Sequence, residues 1–139
     1  MSAIIPASHR DLLEKPVYVI LTTVMPDGQP QSTVVWVDLD GDYVVVNTAK
    51  GRQKDKNLRA NPKVTVVAVD PQNPNRWIEV RGLVDQIDEA SGIEWIDRLA
   101  RKYDGVPEFF GYSAAEERRG KETRVTYKIK PIKVTVHSP

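Results

Sequence analysis

A chain of 139 residues, 40% hydrophobic and 28% charged, has the size and make-up of one globular domain able to bury a core of its own. The net charge of +1 excludes an overall field that would draw in nucleic acid or a membrane surface, so electrostatic binding has to come from a local patch. With no cysteine, disulfide scaffolding, thiolate catalysis and thiolate or iron–sulfur metal sites are excluded, and the histidines His9 and His137, at opposite ends of the chain, read as surface residues rather than metal ligands.

Residues 1–6 lack a basic leader with a long apolar run. No later stretch approaches the roughly 18 apolar residues of a membrane span, so a cytoplasmic protein is expected. Ser8 is placed to cap a short helix, with Asp11 three residues on in a short-armed capping box, Leu12 and Leu13 on the apolar side, and Pro16 as the stop. Three strands follow, over 17–24, 31–38 and 43–48, rich in β-branched residues and separated by the turns Pro26-Asp27-Gly28 and Asp40-Gly41-Asp42. Their short links predict an antiparallel meander. A helix is predicted over 50–61, a strand over 64–69, a proline-rich loop over 70–75 and a long strand over 76–88.

The next helix, 89–103, carries Ile96, Leu99 and Tyr103 as its inner stripe and the i, i+4 pairs Glu94/Arg98 and Asp97/Arg101. A loop spans 104–122, and a last strand, 123–136, is bent or bulged at Pro131. Six strands with a few helices make residues 1–139 a mainly β single domain, an antiparallel barrel rather than an open parallel sheet, because the early links are too short for crossovers. Residues 34–37 and 43–46 are apolar on both faces. One face fills the barrel; the other needs a helix or a second subunit over it, at roughly 1.5–3 kcal/mol for each valine-sized side chain buried.

Residues 50–63 contain six basic side chains and one acidic one, Asp55. Arg52 and Lys54 fall in the first helical turn, where cations oppose the helix dipole at a cost of roughly 0.3–1 kcal/mol each. Free N–H groups beside two cations suit an anion, phosphate above all; the competing reading is a solvated basic face. Gly51 lets the backbone approach a ligand, Thr48 adds a hydroxyl, Arg52 a bidentate fork and Lys54 a point charge. Beside that site a flat ring could lie along the second and third strands. The backbone of Gln31, Ser32, Thr33, Val34 and Val35 could read its edge, with polar side chains from the first three and Asn47. Trp77 either stacks on such a ring or belongs to the core. No nucleophile–base pair is visible, so the catalytic residues are left open.

The ordered set Asp27-Gly28-Gln29-Pro30-Gln31, Val34-Val35-Trp36-Val37, Val46-Asn47-Thr48, Gly51-Arg52-Gln53-Lys54, Asn57-Leu58 and Asn61-Pro62, continued by residues 76–82 and 96–100, closely resembles the pyridoxamine-phosphate-oxidase-like split β-barrel superfamily. Within it the chain is most similar to the flavin/deazaflavin oxidoreductases, the branch with many coenzyme F420-dependent reductases. The resemblance implies an FMN-binding-type split barrel of six antiparallel strands, forming a homodimer with cofactor sites at the subunit interface. It implies cofactor phosphate at Arg52 and Lys54 with Thr48 and Lys50 nearby, the ring on Gln31 to Val35, and the partner's Asn75, Arg76 and Trp77 closing the site.

The implied activity is hydride transfer from reduced coenzyme F420 to an unsaturated or quinone-like small molecule. The alternatives are an FMN- or FAD-dependent oxidoreductase and a non-catalytic flavin carrier. Tyr18, Tyr43 and Tyr112 are unranked proton donors, and Lys50, Lys56 and Arg59 could attract the anionic tail of F420. The extra C-terminal arginine and tryptophan positions of true pyridoxamine phosphate oxidases are missing, so vitamin B6 oxidation is not expected. Neither histidine suits haem ligation. Nucleic-acid binding is disfavoured because residues 50–63 lack interleaved aromatics.

Overall fold

The structure is a computed structural model that describes residues 3–139. In chain order the elements are α1 (Asp11–Glu14), β1 (Val19–Val24), β2 (Pro30–Val35), β3 (Asp38–Asp40), β4 (Tyr43–Ala49), α2 (Gln53–Ala60), β5 (Lys63–Val69), β6 (Trp77–Asp88), α3 (Gly92–Asp104) and β7 (Arg124–His137). The strands make one antiparallel sheet in the order β2-β1-β5-β6-β7-β4-β3. Alternation drives the folding: in β5, Val64, Val66 and Ala68 are buried while Lys63 and Val69 face outward. Leu21, Val66, Val80, Tyr127 and Ile129 meet in the barrel core, with Leu12 and Leu13 of α1 plugging one end.

β2 and β3 are consecutive in sequence yet stand at opposite edges of the strand order, so the link between them bends the sheet into a split barrel. The expected second strand, 31–38, is therefore two strands, and the sheet has seven rather than six. The expected meander is corrected with it: β2 pairs only with β1, and β4 pairs with β3 and β7. The break falls at Trp36–Val37, where α3 pins the chain. The Tyr103 hydroxyl accepts Val37 N–H at 3.1 Å and donates to Val17 O at 2.6 Å, while Lys102 Nζ donates to Val37 O at 2.6 Å and Leu13 O at 2.8 Å. Burial pushes the Tyr103 hydroxyl up to about 12, so it stays a donor at neutral pH.

The bulge expected near Pro131 is present: Gly82 pairs with Pro131 while Arg81 pairs with Lys133, so Ile132 has no partner on β6. A side chain on Gly82 would begin 2.6 Å from Ile129 Cγ2, which explains a glycine inside a strand.

Helix details depart from expectation. Ser8 does not cap α1; its hydroxyl meets His9 Nδ1 at 2.8 Å, and Asp11 pairs with Arg76 instead. His9 is buried, not a surface residue, with Nε2 donating to His137 O at 2.9 Å. α3 starts at Gly92 rather than residue 89. Its expected ion pairs give way to other contacts. Asp97 accepts Phe109 N–H at 2.8 Å, Arg101 donates to Pro107 O at 2.9 Å, and Arg98 lies 4.1 Å over the Trp95 ring. Ile96 and Leu99 pack on Phe109 and Phe110, forming a small second core beneath residues 104–122. Among the described residues, no helix is long and apolar enough to cross a membrane.

Candidate anion-binding cleft

A cleft of about 280 Å3 opens where the end of β4, the start of α2, the β2 edge, α3 and the 104–122 segment converge. Its polar half is lined by Asn47, Thr48, Arg52, Lys54, Arg118 and Arg124, and its apolar half includes Tyr18, Val34, Trp36, Ile96, Leu99 and Phe109. No lining residue is acidic. Thr48 is 2% exposed, and its Oγ1 has no hydrogen-bond partner among the described residues. Leaving such a group unpaired costs about 1–3 kcal/mol.

The turn after β4 delivers the cations. Gly51 adopts a φ of 93°, in the left-handed region that favours glycine, and its N–H is held by Asp55 Oδ2 at 2.9 Å. Arg52 is the N-cap of α2 and makes no side-chain cap. Neither Arg52 nor Lys54 has a carboxylate partner among the described residues; Lys54 Nζ only reaches Thr33 Oγ1 at 3.3 Å. Burial, then the nearby Arg52 and Arg124, push the Lys54 ammonium below its ordinary range. Arg124, with its side chain 4% exposed, donates to Asn47 Oδ1 at 3.0 Å and Glu122 Oε1 at 2.9 Å. Burial lowers its pKa too; Glu122 opposes that shift, and Arg52 and Arg118 add to it. Three mutually repelling cations, Arg52, Lys54 and Arg124, make a site complementary to a multiply charged oxyanion.

The apolar half is a wall of aromatic rings. Trp36 stacks on Tyr103 at 5.2 Å and 11°, and Phe109 meets Trp36 edge-on at 6.2 Å. Arg124 lies 4.9 Å from the Phe109 ring centroid, joining the two halves.

Of the residues singled out in sequence, Val34, Val35, Asn47, Thr48, Arg52 and Lys54 line the cleft. Gly51 shapes its rim, and Thr33 touches it through Lys54. Gln31 and Ser32 point elsewhere, toward Asn57 Nδ2 and Thr22 Oγ1. Lys50 turns away to Glu89 at 3.1 Å, and Arg59 is bound by Asp55 and Glu89, which leaves Lys56 alone of the three cations expected to attract an anionic tail.

Asn75, Arg76 and Trp77 do not line the cleft of their own chain. Arg76 is clamped by Asp11 at 2.5 Å and Asp70 at 3.1 Å, and Trp77 stacks on His137 at 5.6 Å. Of the three tyrosines, only Tyr18 borders the cleft; Tyr43 donates to Asp85, and Tyr112 is exposed outside it. Sequence reasoning missed Arg118, Arg124 and Phe109. Arg124 comes beside Asn47 only through the β4–β7 register, which pairs it with Ala49.

The family model described as pyridoxamine 5'-phosphate oxidase matches residues 5–138. A solved structure described as an F420 reductase superposes with a TM-score of 0.79 at 35% identity, covering 94% of this chain and 98% of that one. A conserved hypothetical protein from Mycobacterium tuberculosis superposes with a TM-score of 0.72 at 22% identity, covering 99% of this chain and 86% of its own. HutZ, the heme storage protein from Vibrio cholerae, does so with a TM-score of 0.65 at 12% identity, covering 97% and 96%. At these last two identities the likeness is one of fold. No curated protein matches the chain.

Proposed function

The chain belongs to the pyridoxamine 5'-phosphate oxidase family, and from that footing we propose that it is an oxidoreductase that holds the phosphate of coenzyme F420 in the cleft and reduces an unsaturated or quinone-like small molecule. The observation that carries this reading is a cleft lined by Arg52, Lys54, Arg118 and Arg124 with no acid in its lining. The likeness to a protein described as an F420 reductase supports the deazaflavin over other phosphate-bearing rings.

When bound, the reduced deazaflavin would supply the hydride. The chain supplies position and environment. Arg52, Lys54 and Arg124, with Thr48 at the end of β4, would hold the phosphate oxygens. Val34 and Val35 on the β2 edge, with Trp36, line the path of the ring. Phe109, Ile96 and Leu99 exclude water from the inner end, so that polar contacts there are strengthened. Tyr18, the one of the three candidate tyrosines that borders the cleft, would pass a proton to the reduced product. Asn75, Arg76 and Trp77 would serve the site from a second copy of the chain, as the family resemblance implies.

FMN is the second reading. A phosphate monoester carries two charges, and the cluster of Arg52, Lys54 and Arg124 suits a dianion. Tryptophan-fluorescence titration with F420, FMN and FAD tests both readings, with Trp36 in the cleft as the reporter. Tight binding of F420 alone upholds the proposal. Preference for FMN or FAD moves the protein to flavin chemistry, and binding of none removes the cofactor reading.

A further inference from the structure

Asp55 is the only acid in the basic stretch 50–63, and it lies beneath the anion site rather than in solvent, 2% exposed. Its carboxylate accepts Gly51 N–H at 2.9 Å, Arg59 Nε at 2.8 Å and the Tyr127 hydroxyl. Burial works against this charge, but those three donors hold the carboxyl below its ordinary range. For an anion site the sign is wrong. A carboxylate in the first turn of α2 repels whatever anion binds there, and it takes Gly51 N–H for itself.

What Asp55 supplies is shape. Gly51 sits at a φ of 93°, at the apex of the turn that carries Thr48 on one side and Arg52 and Lys54 on the other. The Gly51–Asp55 bond ties that apex down. Asp55 is tied in turn to Tyr127, whose residue is fully buried in the barrel core, and to Arg59, which Glu89 braces at 3.1 Å. The position of the turn is thus referred to the core through one carboxylate.

We infer that Asp55 is a positioning residue for anion binding: it fixes the Gly51 turn so that Thr48, Arg52 and Lys54 converge on one oxyanion, and this outweighs the repulsion it exerts. The inference rests on reading the cleft as a phosphate site, not on which cofactor carries the phosphate.

Shape and charge predict opposite outcomes for Asp55→Asn. Charge alone makes the site more positive and tightens binding; loss of position weakens it. The probe is sulfate, a tetrahedral dianion, titrated calorimetrically into the full chain beside FMN and F420, with thermal melting followed by circular dichroism. Asp55→Asn is expected to weaken sulfate binding about tenfold. Tyr127→Phe, which keeps the charge and removes one donor, is expected to weaken it about threefold. A merely structural role would lower the melting temperature and leave sulfate affinity at 25 °C unmoved.

Equal or tighter sulfate binding by folded Asp55→Asn overturns the inference. If that variant does not fold, unchanged affinity in Tyr127→Phe overturns it. Wild-type chain that binds sulfate but neither FMN nor F420 removes the cofactor reading, and the variants still decide the role of Asp55. Wild-type chain that binds neither sulfate nor cofactor overturns both.

Discussion

Thr48 and Lys54 face the same cleft but carry opposite costs in the free protein. The Thr48 hydroxyl is buried without a partner, so Thr48→Val removes an unmet donor and acceptor at nearly constant volume. The variant is expected to melt at or above the wild-type temperature while binding cofactor about fivefold more weakly; a stable variant with unchanged affinity would dissociate Thr48 from the anion. Burial, then Arg52 and Arg124, hold the Lys54 ammonium below its ordinary range. Lys54→Glu replaces attraction by repulsion at the phosphate and is expected to weaken cofactor binding by about 100-fold in the fluorescence titration.

Asp55 adds a pH signature. Its folded pKa lies below the ordinary 3.8, so its contribution to stability is complete above that value and disappears as pH falls through the folded one. Urea melts across the acid range should show a shallower acid decline for Asp55→Asn than for wild type.

At the scale of elements, α3 decides how the rest is arranged. Gly92 at its start lies so close to β7 that an added Cβ would sit 1.9 Å from Arg124 O. Gly92 O also accepts Asn47 Nδ2 at 2.9 Å, and Asn47 Oδ1 receives Arg124. Gly92→Ala must therefore lift α3 from the sheet or shift β7, and is expected to cost about 3 kcal/mol in chemical denaturation and to weaken cofactor binding with it. A loss under about 0.5 kcal/mol would mean that the helix start adjusts freely.

The same contacts show what was legible in sequence. Strands β1, β4, β5 and β6 declared themselves through runs rich in β-branched residues, and the cations of residues 52–54 marked the cleft because they stand where a stable helix prefers acids. The break at Trp36–Val37 was invisible. Nothing local interrupts that apolar run, and the pins come from Tyr103, 66 residues further on. Arg124 was hidden for the same reason, being placed against Asn47 by a strand pairing 77 residues apart. Local signals found the elements; long-range register chose which charges meet.

At the scale of the molecule, the outer face of the sheet is unfinished. Strand register lines up Val34, Ile20 and Val67 across β2, β1 and β5, with Val69 at the strand end. Val34, Ile20 and Val69 are 61%, 38% and 42% exposed. The sequence expectation that strands apolar on both faces need a cover therefore survives in part: α3 packs against β4, but no element among the described residues covers this row. Scattered exposed valines need no explanation, whereas a contiguous row beside a candidate site points to a partner surface. A second copy is the partner that the proposed function calls for, with Asn75 to Trp77 closing the cleft of the other chain.

Ile20→Glu, on the row but outside the cleft lining, separates the possibilities. A wild-type dimer in sedimentation velocity that becomes monomeric on substitution, with cofactor affinity falling at least tenfold, means that each cleft is completed by the partner. A monomeric wild type that binds cofactor tightly would instead make the cleft sufficient in one chain, and would remove Asn75, Arg76 and Trp77 from the site.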